Sequence, residues 1–464
     1  MIYFLIPKTN LLTYTKLYFN DIHAEIILDT PSAMVPSNTL TDDYEKKSIF
    51  SNQHVLISNS LSYYLSNIKE KILFYEKEWD IFKKYTNPYE YIYTLIPNKK
   101  KCVSKNKPLS NSYFKMIEIV HIFKLMNDVP CLIEEQCNNP IKTFHLCEGN
   151  CGFIQAIVEL RKNPKDKYIG MAILNNHDDN YDISSWKKSE AFLNENMNVE
   201  IETGKDGTGN ILNIDNFIYC KTKYASSMDL VTGDGGFDIS MDLYSRGFEL
   251  GHSEGGVSLK MVGDIRPSKE SNVLKGLNNQ EMNISRLIFA QIAYALCLQK
   301  KGGSFVLKIF DCFMNSTIDL LYLLSSFYEK VYITKPQTSR YANSEKYVVC
   351  KNFLFSSCED FYPFLLDIFR KMIEGCYNGN IPIRFLSVEI SNHFLTKIEE
   401  FNSIFGQQQI ENIYYTISLI ETKNKAEKID HLIKNNVQKC VGWCMKYGVG
   451  YNQITNANVF LAGV

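Results

Sequence analysis

The sequence predicts an α/β protein with a mainly parallel β-sheet, helices on both faces of the sheet, and mostly helical extensions at either end. From about residue 111 to 354, short apolar runs of strand length alternate with long segments of helical periodicity. The segments before and after this region have predominantly helical spacing. We therefore expect an N-terminal extension (1–107) that is α/β or mostly helical, a central domain (108–355) and a helical C-terminal extension (356–464).

The composition bounds the possible functions. The 464 residues are 45% hydrophobic, enough to fill a sizeable core, and their net charge of −1 requires any nucleic acid to meet a local basic patch. The 13 cysteines lie in apolar runs and indicate free thiols of an intracellular protein. They lack the spacing of a zinc ribbon, so we expect no metal. No apolar run reaches the length of a membrane span and the start is a poor signal peptide, so we expect a soluble protein.

The N-terminal extension contains two predicted strands and one helical region. The strands are IYFLIP (2–7) and AEIILD (24–29), and residues 60–85 have helical spacing with a charged outer face. The lysines at 99–101 and the polar stretch that follows them indicate a linker. A solvated loop is favoured there over a contact with RNA.

The central domain contains six apolar runs of strand length and three long helical patterns. The predicted strands are KTFHLC (142–147), KYIGMAIL (167–174), MDLVTGD (228–234), GSFVLKIFD (303–311), KVYITKP (330–336) and KYVVCKNF (346–353). The predicted helices cover residues 112–126, 283–300 and 315–330. The polar, glycine-rich stretch 248–271 predicts an exposed loop.

The C-terminal extension contains three further helical patterns. They cover residues 357–375, 391–405 and 425–448. Gly448 closes the last of them and has the position of a helix C-cap. We expect these helices to pack on the sheet domain.

Polar residues at the edges of the predicted strands are the candidates for chemistry. HLCEGNCGF (145–153) joins a strand to a helix through a small-residue turn, an arrangement that often holds a nucleotide-like cofactor. Lys308 lies inside an otherwise apolar strand, and a buried ammonium must be paired or have a role. One interpretation is structural, with Asp234 or Asp311 neutralising it. The other is catalytic, with Lys115 lowering the pKa of Lys308 so that it acts as a general base.

Six motifs in order give residues 111–354 a resemblance to a known family. They are NSYFKMIEI, LCEGNCGF, GKDGTGNILNIDN, DLVTGDGGFD, GGSFVLKIFD and VYITKPQTSRYANSEKYVVCKNF. Together they resemble the FtsJ-like ribose 2′-O-methyltransferases. The last motif is most similar to the cap-specific mRNA enzymes of eukaryotes and large DNA viruses.

The resemblance implies a Rossmann-like, S-adenosylmethionine-dependent methyltransferase sheet that needs no metal. It implies the catalytic tetrad Lys115, Asp234, Lys308 and Glu345. The implied cofactor-binding residues are Cys147, Glu148, Gly149, Cys151, Gly152, Phe153, Gly209, Asn210 and Asp234. Lys335, Ser339 and Arg340 are candidates for RNA binding, with surface charge as the alternative for the lysine and the arginine.

The resemblance also implies partners and a location. The substrate would be the 5′ end of capped mRNA, and other capping or transcription proteins would be further partners. We expect an intracellular protein, located in the host cytoplasm or the virion if it is viral.

Two departures from the family pattern keep other functions open. The usual Pro-Gly-Gly of the cofactor loop is Asn150-Cys151-Gly152 here, and a cysteine side chain is tolerated there if φ stays negative. Asn210 stands where an aspartate is common. One alternative is a 2′-O-methyltransferase that acts on ribosomal or transfer RNA. The other is a non-catalytic RNA-binding or scaffold subunit of an mRNA-processing complex, built on a degenerate methyltransferase fold.

Overall fold

A computed structural model of the chain describes residues 2–9, 57–126, 139–174, 186–236, 248–253, 256–261, 279–377, 382, 384–386, 388–422 and 425–453. Within these residues the strands are β1 (Tyr3–Leu5), β2 (Lys142–Leu146), β3 (Lys167–Met171), β4 (Val199–Ile201), β5 (Met228–Gly233), β6 (Phe248–Ser253), β7 (Gly256–Met261), β8 (Gln299–Ile309), β9 (Tyr328–Thr334) and β10 (Lys346–Phe353). The helices are α1 (Asn59–Lys71), α2 (Glu76–Thr86), α3 (Ser112–Phe123), α4 (Gly152–Arg161), α5 (Glu190–Glu195), α6 (Ile214–Tyr224), α7 (Asn279–Leu298), α8 (Asn315–Phe327), α9 (Tyr362–Tyr377), α10 (Asn392–Glu421) and α11 (Ala426–Lys446).

Eight of the described strands form one mixed sheet in the order β1-β9-β10-β8-β5-β2-β3-β4. The five strands from β8 to β4 are parallel, whereas β10 is antiparallel to both β8 and β9, and β1 is antiparallel to β9. Only residues 335–345 join β9 to β10, and they contain no helix, so the chain returns antiparallel rather than crossing over. The sheet is therefore less parallel than the alternating pattern predicted.

Both faces of the sheet are covered by helices, as predicted for this fold class. Alternate strand residues enter two different buried clusters: Phe144 and Leu307 belong to one, and Val306 and Tyr347 to the other. Helices α7 and α8 contribute to the first cluster, and α3, α4 and α11 to the second. Because every central strand is buried on both faces, its sequence is a nearly continuous apolar run.

The two extensions share packing with the central domain. Strand β1 pairs with β9 at the edge of the sheet, which confirms the predicted strand at the start of the chain. A third apolar cluster contains Trp79 of α2 and Ile413 of α10. Thr86 and Thr416 also share a hydrogen bond of 2.7 Å between their hydroxyls. The predicted boundaries of the three parts stay a prediction.

The C-terminal helices agree with the sequence pattern. Helix α10 extends sixteen residues beyond the predicted end at 405. Gly448 has φ +67°, as expected of a glycine that follows a helix end.

Among the described residues, no helix has both the length and the apolar character needed to cross a membrane.

One sequence prediction needs correction, and another falls outside the described residues. The stretch predicted as an exposed loop contains an antiparallel hairpin, β6 with β7, in which Phe248 pairs with Met261. Apolar residues at 248, 250, 257, 259 and 261 alternate with other residues, which is the strand pattern that the many glycines obscured. The strand predicted at 24–29 lies outside the described residues.

Candidate active site

The carboxyl ends of three adjacent strands bring the candidate residues together. Strand β5 lies between β2 and β8, with Leu146 opposite Gly233 and Gly233 opposite Leu307. The chain therefore leaves β2 into the cofactor loop directly beside Asp234, whose backbone N–H donates to the Leu146 carbonyl at 3.1 Å. Lys308 follows Leu307 on the next strand. This is the edge at which open α/β sheets bind their ligands.

The four tetrad residues form two ion pairs at this edge. Lys308 Nζ lies 3.0 Å from Asp234 Oδ1. Lys115 Nζ, on helix α3, lies 2.7 and 2.8 Å from the two carboxylate oxygens of Glu345. The pairing of Tyr347 with Lys308 in the sheet places Glu345, two residues before Tyr347, at the same edge. All four side chains are largely buried, so each charge depends on its partner.

The pKa of Lys308 departs from the sequence prediction. Burial acts to lower it, but the charges of Asp234 and Glu345 outweigh burial and hold the pKa of Lys308 above its usual value. The predicted depression by Lys115 is wrong, because Glu345 already neutralises that lysine. The predicted structural pairing with Asp234 is correct, whereas Asp311 pairs with other lysines. Without ligand, Lys308 is therefore an ammonium.

Glu345 is held as a carboxylate. Burial acts to raise its pKa, but the neighbouring cations Lys115 and Lys308 outweigh burial and bring the pKa of Glu345 down to about 2. This mutual influence shows that the two ion pairs belong to one electrostatic unit. Two lysines and two carboxylates leave that unit close to neutral.

The cofactor loop is shaped by two cysteines with left-handed backbone. Cys147 has φ +60° and Cys151 has φ +51°, so the condition predicted for tolerating Cys151, a negative φ, is not met. A left-handed conformation costs a non-glycine residue about 1 kcal/mol. The next residue, Gly152, packs closely against α3, since a Cβ there would lie 2.0 Å from Ser112 Oγ. The Cys151 side chain is fully buried in the core.

Glu148 occupies the centre of the same loop. Its Oε1 accepts a hydrogen bond from the Phe153 N–H at 3.2 Å, at the start of α4, while its buried Oε2 has no hydrogen-bond partner among the described residues. Burial and the nearby charge of Asp234 raise the pKa of Glu148 to about 8, against the opposing effects of the Phe153 amide and Lys308. Glu148 is thus a buried carboxyl group with one free oxygen beside the tetrad.

The second candidate loop lies beyond the end of β3. Gly209 has φ +68°, and a Cβ there would lie 2.0 Å from the Ala172 carbonyl oxygen, so this position requires glycine. The side-chain oxygen of Asn210 accepts a hydrogen bond from the Leu212 N–H at 3.0 Å, and the backbone N–H of Asn210 donates to Thr208 Oγ1. These bonds hold the loop close to the strand end, and the amide nitrogen of Asn210 is its remaining polar group.

The three RNA-binding candidates follow β9. Lys335 is buried and donates to the carbonyl oxygens of Asn343 and Glu345 at 2.7 and 2.8 Å; burial and Lys346 lower the pKa of Lys335 to about 7. Ser339 is also buried. Arg340 forms a bidentate ion pair with the buried Glu90, with distances of 2.9 and 2.7 Å. The segment that presents Glu345 is thus held from several sides.

Other charged residues support the site and were missed from the sequence. Glu118, one turn after Lys115 on α3, accepts from the Gln337 N–H at 2.8 Å and from Trp443 Nε1 at 3.3 Å. A charged residue inside the apolar pattern of α3 was the available signal. Asp311, Ser344 and Lys346 form a further buried cluster behind the tetrad. No candidate metal cluster occurs among the described residues.

The strand order, with these ion pairs at the carboxyl edge, is that of a Rossmann-like methyltransferase. A family model described as FtsJ-like methyltransferase matches residues 108–353. This match covers more than half of the 464-residue chain, so the chain belongs to the FtsJ-like methyltransferase family. The resemblance and the fold class predicted from the sequence are both confirmed.

The curated relatives are modestly similar to this chain. "Cap-specific mRNA (nucleoside-2'-O-)-methyltransferase 1" of Trypanosoma brucei brucei is 26% identical over 235 residues, 49% of this chain and 52% of that protein. "Cap-specific mRNA (nucleoside-2'-O-)-methyltransferase 2" of Pongo abelii is 26% identical over 412 residues, 87% of this chain and 46% of that protein. An "Inactive cap-specific mRNA (nucleoside-2'-O-)-methyltransferase 1B" of Caenorhabditis briggsae is 27% identical over 175 residues, which are 37% of this chain and 20% of that protein. The chain spans about half or less of these relatives' length.

Proposed function

We propose that this protein transfers a methyl group from S-adenosylmethionine to the ribose 2′-hydroxyl of the first transcribed nucleotides of capped mRNA. The observation that carries the proposal is the pair of ion pairs, Lys308 with Asp234 and Lys115 with Glu345, at the carboxyl edge of the sheet. Capped mRNA is chosen as the substrate because the curated relatives described above are named for it. Other capping or transcription proteins remain proposed partners.

The cofactor loops support a site for S-adenosylmethionine. That group, when bound, supplies a methyl group already activated on a cationic sulfur, so no metal is required. Glu148 Oε2 is a buried oxygen with no hydrogen-bond partner among the described residues, suited to form a hydrogen bond with a bound polar group. Gly209 lets the second loop lie against the Ala172 carbonyl just beyond β3, where a Cβ would clash. Asn210 would use its amide to hold an adenine edge.

Lys308 would be the group that acts on the hydroxyl. As an ammonium it donates a hydrogen bond that stabilises the oxygen as negative charge develops there. The pKa of Lys308 falls when a like charge is bound beside Nζ, and the neutral amine can then take the hydroxyl proton. In both cases the 2′-oxygen would form its new bond to the methyl carbon as the carbon–sulfur bond breaks, and the electron pair of that bond would stay on sulfur as a neutral thioether. The hydroxyl proton would pass to the neutral amine of Lys308 or, where Lys308 is an ammonium, to solvent.

The other three tetrad residues would position these groups. Asp234 holds Nζ of Lys308 through the 3.0 Å ion pair, and Tyr347 donates to the same carboxylate oxygen at 3.5 Å. Glu345 fixes Lys115, which would orient the hydroxyl from the opposite side. Burial of all four excludes water and strengthens each electrostatic interaction. Of the three RNA-binding candidates, we retain Arg340, the most exposed, as a proposed RNA contact. Lys335 and Ser339 are buried, so we propose that they act on RNA only by holding the segment that carries Arg340.

A transfer assay tests the proposal. The protein is incubated with labelled S-adenosylmethionine and short RNAs that carry a 7-methylguanosine cap, an unmethylated cap or no cap. Products are digested to nucleosides and separated by mass. We expect a 2′-O-methyl nucleoside at the first positions of capped RNA only. Equal transfer to uncapped structured RNA would instead indicate a ribosomal or transfer RNA enzyme.

The second candidate is a non-catalytic RNA-binding or scaffold subunit. The observation that favours it is Cys151, whose side chain adds bulk and left-handed strain where the family has glycine. One curated relative is named as an inactive cap-specific mRNA methyltransferase, which supports keeping a non-catalytic function as a candidate. Absence of both transfer and cofactor binding by calorimetry, with retained RNA binding, would select this function.

A further inference from the structure

A buried cluster of charged and polar groups lies directly behind the tetrad. Asp311 follows Lys308 by three residues, and Ser344 and Lys346 stand on either side of Glu345 in the chain. Asp311 Oδ2 accepts from Ser344 Oγ at 2.9 Å, and Asp311 Oδ1 accepts from Lys346 Nζ at 3.0 Å. This cluster therefore joins the strand that carries Lys308 to the segment that carries Glu345. We call it the Asp311 cluster.

Both extensions reach into the Asp311 cluster. Lys69, on α1 of the N-terminal extension, donates to Asp311 Oδ2 at 3.0 Å and to Ser344 Oγ at 2.8 Å. Gln409, on α10 of the C-terminal extension, donates to the Ala342 carbonyl at 2.8 Å and to Ser344 Oγ at 3.3 Å. Two helices outside the family match thus hold the segment from Ala342 to Lys346 by side-chain hydrogen bonds.

Lys69 helps to neutralise the buried charge of Asp311. Asp311 is 4% exposed. Burial opposes its ionisation, and Lys69 and Lys346 together outweigh burial and keep the pKa of Asp311 well below its usual value. A buried carboxylate that loses one of two cations is poorly compensated, so the backbone it anchors is free to shift.

We propose that Lys69 and Gln409 are positioning residues through which the two extensions fix Glu345 relative to Lys308. The inference rests on the proposed function, because it takes the tetrad as the catalytic unit. Catalytic groups must be held within about 0.5 Å of their productive geometry, and a shift of about 1 Å can lower the rate about 100-fold. The extensions would then help to hold the catalytic residues in their productive geometry.

Three substitutions in the full-length protein test this. Lys69→Met and Gln409→Leu remove the two contacts, and Lys69→Arg keeps the charge and the donors. Lys83→Met is the matched control, since Lys83 lies on the same extension in an exposed ion pair with Asp80. Amide hydrogen exchange of residues 339–346 is measured for each protein. Methyl transfer is measured with kcat and the KM for S-adenosylmethionine determined separately, normalised to the molar amount of cofactor bound.

We expect Lys69→Met and Gln409→Leu each to exchange about tenfold faster in 339–346 and to lower kcat about tenfold with an unchanged KM. Lys69→Arg should recover most of kcat, and Lys83→Met should match wild type. Wild-type exchange in both variants, or faster exchange at undiminished kcat, would overturn the positioning role. If the wild-type protein methylates no RNA, the proposed function fails and the exchange result alone decides whether the extensions hold the segment.

Discussion

Glu148→Gln tests the electrostatics of the cofactor loop. Glutamine keeps the shape of the side chain and mimics the protonated carboxyl group, while it removes the possibility of a buried negative charge. Burial and Asp234 raise the pKa of Glu148 to about 8 in the folded protein. The unfolded value is about 4.3. The wild-type protein should therefore lose stability relative to the variant as pH rises between these two values.

The size of the effect follows from the two pKa values. Below the unfolded pKa the carboxyl group is protonated in both states and costs nothing. Between pH 5 and pH 8 the unfolded chain releases its proton and the folded chain retains it, so the wild type loses about 1.4 kcal/mol per pH unit, about 4 kcal/mol in all. For a chain of this length, 1 kcal/mol corresponds to about 1 °C in the unfolding midpoint.

Thermal unfolding at pH 5 and pH 8 measures this difference. The midpoint of Glu148→Gln, relative to wild type, should be about 4 °C higher at pH 8 than at pH 5. Glu200→Gln, at an exposed position on β4, is the control and should show the same offset at both values. An offset for Glu148→Gln that does not change with pH would refute a buried, proton-retaining Glu148.

Three further substitutions test the loops and the core. Cys151→Gly should change the Kd for S-adenosylmethionine less than about threefold, because the thiol is buried in the core; tenfold tighter binding in calorimetry would instead place the thiol in the cofactor site. Gly152→Ala should lower the unfolding midpoint by several degrees, since its Cβ would lie 2.0 Å from Ser112 Oγ; an unchanged midpoint would contradict that packing. Asp166→Asn should cost about 3 kcal/mol in unfolding free energy, because it leaves the buried Arg161 without its bidentate partner; a loss under about 1 kcal/mol would count against the pair.

Much of the fold could be read from the sequence because its central strands are buried on both faces. Continuous apolar runs marked β2, β3, β5, β8, β9 and β10, each within a few residues of its observed bounds. Strand β4 (Val199–Ile201) was missed because it is a short edge strand in which only Val199 is buried. The hairpin at 248–261 was missed because its glycines masked the alternating pattern.

The sequence could name the candidate residues of the site but not their electrostatics. Motif order identified Lys115, Asp234, Lys308 and Glu345, and the structure brings them together as two ion pairs. The direction of the Lys308 pKa depends on how close the carboxylates of Asp234 and Glu345 lie to Nζ, and the sequence does not contain those distances. The positive φ of Cys151 was likewise not predicted, because non-glycine residues rarely adopt it.

The most direct test of the proposed function is methyl transfer to capped RNA by the wild-type protein and by Lys308→Met. The variant keeps an apolar stem in the strand and removes the ammonium, so its Kd for S-adenosylmethionine should stay within about threefold of wild type. We predict a 2′-O-methyl nucleoside from the wild-type protein and a loss of kcat of about 100-fold or more in the variant. Undiminished transfer by Lys308→Met would contradict the role assigned to Lys308, and no transfer by the wild-type protein would contradict the proposed function itself.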